Sequence, residues 1–215
     1  MAWIANHFLG PDSGEKRGGA LNNKHKFEIC LRYMADPGFQ NGVSEVVGVS
    51  QPTVSRTVKF VVEKICDKTD TWIQFPDNSQ EVNKAATTWF TKRKLPGCFG
   101  AVDGSIIKLQ VPPQQYTPTN FYSGRKKVYC LNVMVICNSD GEFIAVCAKW
   151  PGRAHDARVW RNSAVFIKLS TGYTGDKYFI ADSAYPISRH LLKPYSTQEA
   201  AADPVKQHFN NVLMC

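Results

Sequence analysis

The sequence predicts an α/β domain, a mixed sheet with flanking helices, preceded by an all-α region of helix-turn-helix layout. Three observations predict it. Apolar residues recur at helical spacing in segments from near Asn23 to Ile65 and in strand-like runs from Phe99 onward. The second half reads as three strands, a helix and a further strand, and a meander followed by a crossover helix gives a mixed sheet. Two helical stretches also meet at a tight turn containing Gly48.

The elements follow in order. Residues 1–22 read as a flexible lead-in, carried by the Gly- and charge-rich run from Gly10 to Ala20. A helix starts near Asn23, with Phe27, Cys30, Leu31 and Met34 on one face, and Asp36-Pro37-Gly38 stops it. A short helix from Val43 to Val47 closes at Gly48. Ser50 reads as the N-cap of the next helix, with Pro52 in its first turn, where a missing N–H costs little. From Gln51 to Ile65 the stripe Val54, Val58, Val61, Ile65 is apolar, and Gln51, Thr53, Ser55, Arg56 and Lys59 fall elsewhere.

Residues 23–66 therefore have the size of a helix-turn-helix, whose second helix can enter a major groove. A small bundle that binds nothing fits the periodicity equally well. The polar side chains of the second helix, which can reach phosphates and base edges, favour DNA.

Residues 67–98 read as a connector holding a helix over Gln80 to Lys92, ended by Pro96-Gly97. The remainder, 99–215, is the α/β domain. Phe99 to Val111 reads as a strand stopped by Pro112-Pro113. Val128 to Cys137 is a nearly continuous apolar run, as in a strand buried on both faces. Asn138 to Gly141 turns the chain into a strand over Glu142 to Lys149, which Trp150-Pro151-Gly152 breaks. His155 to Phe166 reads as a helix, Tyr178 to Ala181 as a short strand running into Asp182, and Ser188 to Leu192 as a helical turn.

Composition bounds the function. A chain of 215 residues with 43% hydrophobic content is too apolar to stay disordered. Its net charge of +8 favours a polyanionic partner, nucleic acid first. No apolar run approaches the roughly 20 residues of a membrane span, so no membrane role is expected, and no secretory signal is visible. Seven cysteines, an odd number without a C-x-x-C pair, speak against a disulfide framework or a structural zinc and fit reduced thiols in the cytosol or nucleus. P-loop, G-x-S-x-G and H-E-x-x-H patterns are missing, which removes those enzyme classes.

Three carboxylates stand at informative places. Asp103 lies in the first strand, Asp156 at a loop-to-helix junction and Asp182 at a strand end. If the strands of Asp103 and Asp182 are neighbours, the two groups can converge at one end of the sheet. Clustered carboxylate oxygens suit Mg²⁺ or Mn²⁺, and two such ions can stabilise the attacking and leaving oxygens of a phosphodiester displacement. Any one of these aspartates taken alone is as readily a strand-end or N-cap residue. Asp103 is the exception, because its apolar flanks invite burial and a buried charge needs a partner or a metal. His155, next to Asp156, has the chemistry of a ligand or general base, but reads first as a loop histidine that orients phosphate or the helix start. Arg125, Lys126 and Lys127, with Tyr129 and the Tyr122-Ser123-Gly124 turn beside them, and likewise Lys92-Arg93-Lys94, are solvated charge or, in a domain that holds DNA, phosphate contacts.

Five motifs in order carry a family resemblance: Gly48 to Arg56 (GVSQPTVSR), Pro96 to Gly104 (PGCFGAVDG), Phe121 to Lys126 (FYSGRK), Trp150 to Arg158 (WPGRAHDAR) and Ala181 to Pro186 (ADSAYP). With them the chain resembles the transposase-derived nucleases of the Harbinger (PIF/Harbinger) superfamily, with their DDE-type domain, from about Phe27 to Asn210. The resemblance implies an RNase H-like fold and a divalent-metal nuclease centre. It also implies an N-terminal helix-turn-helix, work on DNA in the nucleus, and room for a separate DNA-binding partner protein. Its metal positions fall on Asp103, Asp156 and Asp182. The family's last acid, a Glu on a helix shortly after a Phe-Asn pair, has no counterpart between Asn210 and Cys215, and Glu199 precedes Phe209. The expectation is therefore an RNase H-like domain shortened at its C-terminus. In it Asp103 and Asp182 bind the ions, Asp156 supports them, and activity is reduced or lost for want of that acid. The alternative is a non-catalytic DNA-binding or adaptor protein derived from a transposase. A small-molecule metallohydrolase fits less well, since no His-rich ligand set accompanies the aspartates.

Overall fold

The computed structural model describes residues 1–12, 21–35, 39–111 and 117–214, and the chain divides into two compact units, Met1–Trp72 and Ile73–Cys215. The stops assigned to Asp36-Pro37-Gly38 and Pro112-Pro113, and most of the Gly10 to Ala20 run, lie outside the described residues.

The first unit is all helical: α1 (Ala2–Leu9), α2 (Asn23–Ala35), α3 (Gln40–Val47), α4 (Gln51–Cys66) and α5 (Thr69–Trp72). The reading of residues 1–22 as a lead-in is corrected at its start. Helix α1 buries Ala5 against Phe27, Cys30 and Val61, and Phe8 stacks on Phe27 with ring centroids 5.9 Å apart. The Gly-rich run that follows hid this short helix. The apolar face of α2 is also rotated from expectation. Phe27, Ile29 and Cys30 are buried, whereas Leu31 and Met34 are exposed. The cause is that α2 serves two clusters, one with α1 and α4, the other joining Ile29 to Val43 and Val54.

Helix α3 ends at Gly48, whose φ of 71° and ψ of 32° put it in the left-handed region that glycine enters without a Cβ penalty. Helix α4 begins after Ser50, with Pro52 in its first turn, and buries Val54, Thr57 and Val61. Ser50 does not cap the backbone through its side chain. Its hydroxyl instead pairs with that of Thr53 at 2.9 Å.

The second unit is a six-stranded mixed sheet with flanking helices, an RNase H-like architecture. Its elements are α6 (Ser79–Arg93), β1 (Cys98–Lys108), a 3₁₀ turn Pro118–Asn120, β2 (Tyr122–Ser123), β3 (Val128–Cys137), β4 (Phe143–Pro151), α7 (Asp156–Arg161), α8 (Ala164–Leu169), β5 (Tyr178–Ala181), β6 (Leu191–Leu192), α9 (Thr197–Ala202) and α10 (Pro204–Met214). β1 and β3 are antiparallel, β3 pairs antiparallel with β2 and β4, and β5 joins the other edge of β1 in parallel, followed by β6.

Helix α6 belongs to this unit and not to a connector. Asn78 caps it by accepting from the Glu81 N–H, and Val82 and Ala86 enter the main core. That core also holds Phe99, Val102, Met134, Ile136, Trp160 and Phe179. Trp160 is 1% exposed and meets Phe166 and Phe179 edge-on, so Trp160→Ala would cost about 3–5 kcal/mol.

Four further expectations are corrected. β3 is not buried equally on both faces: Cys130, Asn132, Met134 and Ile136 are buried, and the residues between them only half-buried. β4 runs through Trp150 to Pro151, because Trp150 and Pro151 still pair with Asn132 and Leu131 at the sheet edge. The helix expected over His155 to Phe166 is two helices. Ser163 accepts from the Phe166 N–H and starts the second. Ser188 to Leu192 contributes a two-residue strand, β6, where a helical turn was expected, because β5 offers it a parallel edge.

Candidate acidic site

The parallel pairing of β1 and β5 sets Val102 beside Ala181. The next residues are Asp103 and Asp182, so the same register brings the two carboxylates to neighbouring positions at one end of the sheet. β5 ends at Ala181, which leaves the later part of β1 uncovered on that side. Asp103 is accordingly exposed, not buried as its apolar flanks suggested, and Asp182 is exposed too.

Backbone donors order both groups. The Gly104 N–H donates to Asp103 Oδ1 at 2.7 Å, and the Ala184 N–H to Asp182 Oδ1 at 2.9 Å. Neither acid pairs with a basic side chain among the described residues. Among the described residues no donor reaches the second carboxylate oxygen of either acid.

Asp156 arrives from a different direction. It is the first residue of α7, and its Oδ1 accepts from Asn132 Nδ2 at 2.7 Å; the same amide donates to the Ala154 carbonyl at 3.0 Å. A Cβ placed on Gly104 would lie 2.7 Å from Asp156 Oδ1 and 3.5 Å from the Tyr185 hydroxyl. Side chains alternate along a strand, so Asp156 sits on the Gly104 side of β1 and Asp103 projects on the other. Cys137 marks that other side. It shares a face with Val135, the pairing partner of Asp103, and its thiol is pushed up by burial and then by the charge of Asp103.

Tyr185 lies on the Gly104 side of β1 with Asp156; it is 1% exposed and its hydroxyl has no hydrogen-bond partner among the described residues. Burial raises its pKa most, followed by the charges of Asp156, Asp103 and Asp182. All three acids thus act on one buried hydroxyl. Among the described residues no group of three His, Cys, Asp or Glu side chains is close enough to hold a metal ion. The donor chemistry nevertheless fits Mg²⁺ or Mn²⁺. Such hard ions commonly take one or two carboxylates and complete their shell with water and substrate phosphate. Two exposed, unpaired aspartates side by side match that pattern.

The nucleic-acid candidates occupy separate places. On α4, Gln51, Arg56 and Lys59 are exposed and Thr53 and Ser55 half-buried. Lys59 also lies 4.0 Å from Glu63, one turn on. Arg125, Lys126 and Lys127 are exposed in the turn between β2 and β3, and Lys127 has a φ of 54°. Asp103 pairs with Val135, seven residues along β3 from Val128, so this turn lies about 23 Å from the acid pair along the strand. Tyr129 packs edge-on against Tyr122 beside that turn.

Sequence reasoning missed Asn132, Gly104 and Tyr185. An amide inside an otherwise apolar strand is the one signal that could have exposed Asn132.

The profile of the DDE superfamily endonucleases matches residues 102–215, which include all three aspartates. A rat protein named "Putative nuclease HARBI1" is 26% identical over 188 residues, covering 87% of this chain and 53% of the rat protein. The human protein of that name is 23% identical with the same coverage. The Arabidopsis thaliana "Protein ALP1-like" is 25% identical over 195 residues, 84% of this chain and 47% of that protein. The chain spans about half the length of the curated relatives it matches, and no solved structure matches it. No helix among the described residues is long and apolar enough to cross a membrane. With the profile covering more than half of the sequence, the chain belongs to the DDE superfamily endonucleases, in their Harbinger transposase-derived branch.

Proposed function

We propose that this chain carries a divalent-metal-dependent DNA endonuclease centre, in which Asp103 and Asp182 hold the cation and Asp156 supports the site from behind the strand. The observation that carries the reading is the pair of exposed carboxylates, one on β1 and one just past the end of the parallel strand β5, each with one oxygen tied to a backbone N–H and the other without a donor among the described residues. Bound Mg²⁺ or Mn²⁺ supplies positive charge for the attacking and leaving oxygens of a phosphodiester. The protein's part is positional. Backbone donors fix the orientation of Asp103 and Asp182, and Asn132 holds Asp156 against Gly104. The net reaction adds water across one P–O ester bond, and the departing ester oxygen leaves with a proton. The natural setting is chromosomal DNA in the nucleus, with or without a separate DNA-binding partner protein.

Plasmid nicking with Mg²⁺ or Mn²⁺ tests this, in the 215-residue chain and in one extended to the length of its HARBI1 relatives. Asp103→Ala and Asp182→Ala should abolish cleavage in whichever form is active. Nicking that persists at the parental level in both variants, or that no metal-loaded form shows, removes the reading.

A second reading, DNA binding or adaptor work without chemistry, draws on the α3–Gly48–α4 turn and the exposed Gln51, Arg56 and Lys59. Thr53 and Ser55 would add contacts at the start of α4, and Arg125, Lys126 and Lys127 would add phosphate contacts from the sheet unit. It predicts salt-sensitive DNA binding that Arg56→Ala and Lys59→Ala weaken and Asp103→Ala leaves intact.

A further inference from the structure

The loop from Pro151 to His155 joins β4 to α7 and, with the 3₁₀ turn at Asn120, walls a cavity of about 420 Å³. Asn120, Trp150, Pro151, Arg153, His155 and Arg158 line it. The lining holds two guanidinium groups and an imidazole but no carboxylate. Neither Arg153 nor Arg158 forms an ion pair among the described residues. The Trp150 indole N–H is buried and has no hydrogen-bond partner among the described residues. Arg158 lies over the same indole, 5.7 Å from the ring centroid, which orders its planar fork.

The walls are fixed by backbone contacts. The Gly152 N–H donates to the Cys130 carbonyl at 2.8 Å, and the Arg153 N–H to the Asn120 carbonyl at 3.1 Å. Gly152 lies so close to β3 that a Cβ there would fall 2.1 Å from Cys130 Sγ and 2.8 Å from the Cys130 carbonyl oxygen. The residue that follows His155 is Asp156, so the cavity wall runs directly into α7, the helix that carries one of the three acids.

Arginines on a surface are usually just solvated. These two converge on one cavity with a buried indole donor, where the loop leads into the helix carrying Asp156. We propose that the cavity is a phosphodiester-binding subsite, in which Arg153 and Arg158 clamp a phosphate of the DNA strand next to the bond to be cut. This rests on the endonuclease reading. Guanidinium suits the role because its planar donors match two phosphate oxygens at once. The volume would also admit a free nucleotide, whose phosphate presents the same chemistry.

The test is binding of a fluorescent DNA duplex to the 215-residue chain in EDTA, by anisotropy across a salt series. Arg153 is exposed and makes no side-chain hydrogen bond or ion pair among the described residues, so Arg153→Ala leaves the fold alone. That variant should weaken binding about tenfold and lower the slope of log affinity against log salt by about 1. Arg158→Lys should weaken binding although it keeps the charge, because an ammonium lacks the fork. Arg161→Ala, on α7 but outside the cavity, is the control and should move both quantities far less. Equal losses for Arg153→Ala and Arg161→Ala would overturn the proposal while leaving the endonuclease reading standing. Competition by deoxynucleoside monophosphate that Arg153→Ala abolishes, with duplex affinity unchanged, would also overturn it, since the cavity would then take a free nucleotide. A parental chain that binds no duplex at all would bring down both readings.

Discussion

Gly104 shows how one missing methyl group shapes the acidic site. The chain needs Asp156 pressed against β1, and a Cβ at position 104 would lie 2.7 Å from its Oδ1. That oxygen cannot simply withdraw, because Asn132 already holds it at 2.7 Å. Gly104→Ala therefore displaces the carboxylate. Outer-sphere changes of this kind cost about 10–100-fold in metal affinity or activity. We expect a folded variant whose Mn²⁺-dependent nicking falls by that factor, and unchanged nicking would show that Asp156 does not serve the site. Cys98 yields a second prediction at this scale. Its thiol is fully buried, and burial pushes its pKa up from 9.0 to about 12. Between about pH 9 and pH 12 the unfolded chain has lost this proton and the folded chain retains it. The unfolded state then binds fewer protons, so stability falls as pH rises through that window and is intact below it. Denaturant titrations from pH 8 to 11 should show a decline that Cys98→Ala makes shallower. Identical pH slopes for the two proteins would place the alkaline sensitivity elsewhere.

Among the elements, α10 is held by one buried amide together with Val212 and Leu213, which pack against the cluster of Trp89, Leu95 and Cys98. Asn210 is buried, accepts from the Tyr195 N–H at 2.9 Å and donates to the Tyr195 carbonyl at 2.9 Å. Phe209 adds an edge-on contact with the Tyr195 ring. The Phe-Asn pair is therefore an anchor that fastens α10 to the segment after β6. Asn210→Ala would leave a backbone donor and acceptor without partners, at a cost of about 2 kcal/mol. Thermal unfolding should show a correspondingly lower midpoint, and an unshifted transition would mean that water replaces the amide. Elements whose signals are local could be read from the sequence. β3 keeps the bounds of its apolar run, Val128 to Cys137, and Gly48 ends its helix as expected. Elements made by distant partners could not. β6 pairs along the edge that β5 offers it, and α1 packs on distant residues such as Phe27, Val61 and Trp72. The site divides in the same way. Asp103, Asp156 and Asp182 were legible as motif-embedded acids. The Asn132–Asp156 bond spans 24 residues, and the exposure of Asp103 depends on where β5 stops, so neither left a local trace.

For the whole molecule, the net charge of +8 is unevenly shared. Met1–Trp72 has nine basic and eight acidic residues, a net of +1; Ile73–Cys215 has 17 and 10, a net of +7. The polyanion attraction that the composition implies therefore resides mostly in the sheet unit, not in the helical unit whose layout resembles a DNA-reading module. Lys59, an exposed cation of α4, also has Glu63 within 4.0 Å, which dilutes its pull on a phosphate. Each phosphate contact contributes about 0.9 to the slope of log affinity against log salt. Removing Arg125, Lys126 and Lys127 together should lower that slope by about 2–3 if the turn lies along the duplex. Arg56→Ala with Lys59→Ala should lower it by less than 2 and weaken binding less at low salt. Anisotropy titrations of the two multiple variants between 50 and 200 mM salt decide the matter. A larger loss from the α4 pair than from the β2–β3 turn would reverse the assignment, because short-range contacts by the helical unit would then outweigh the field of the sheet unit.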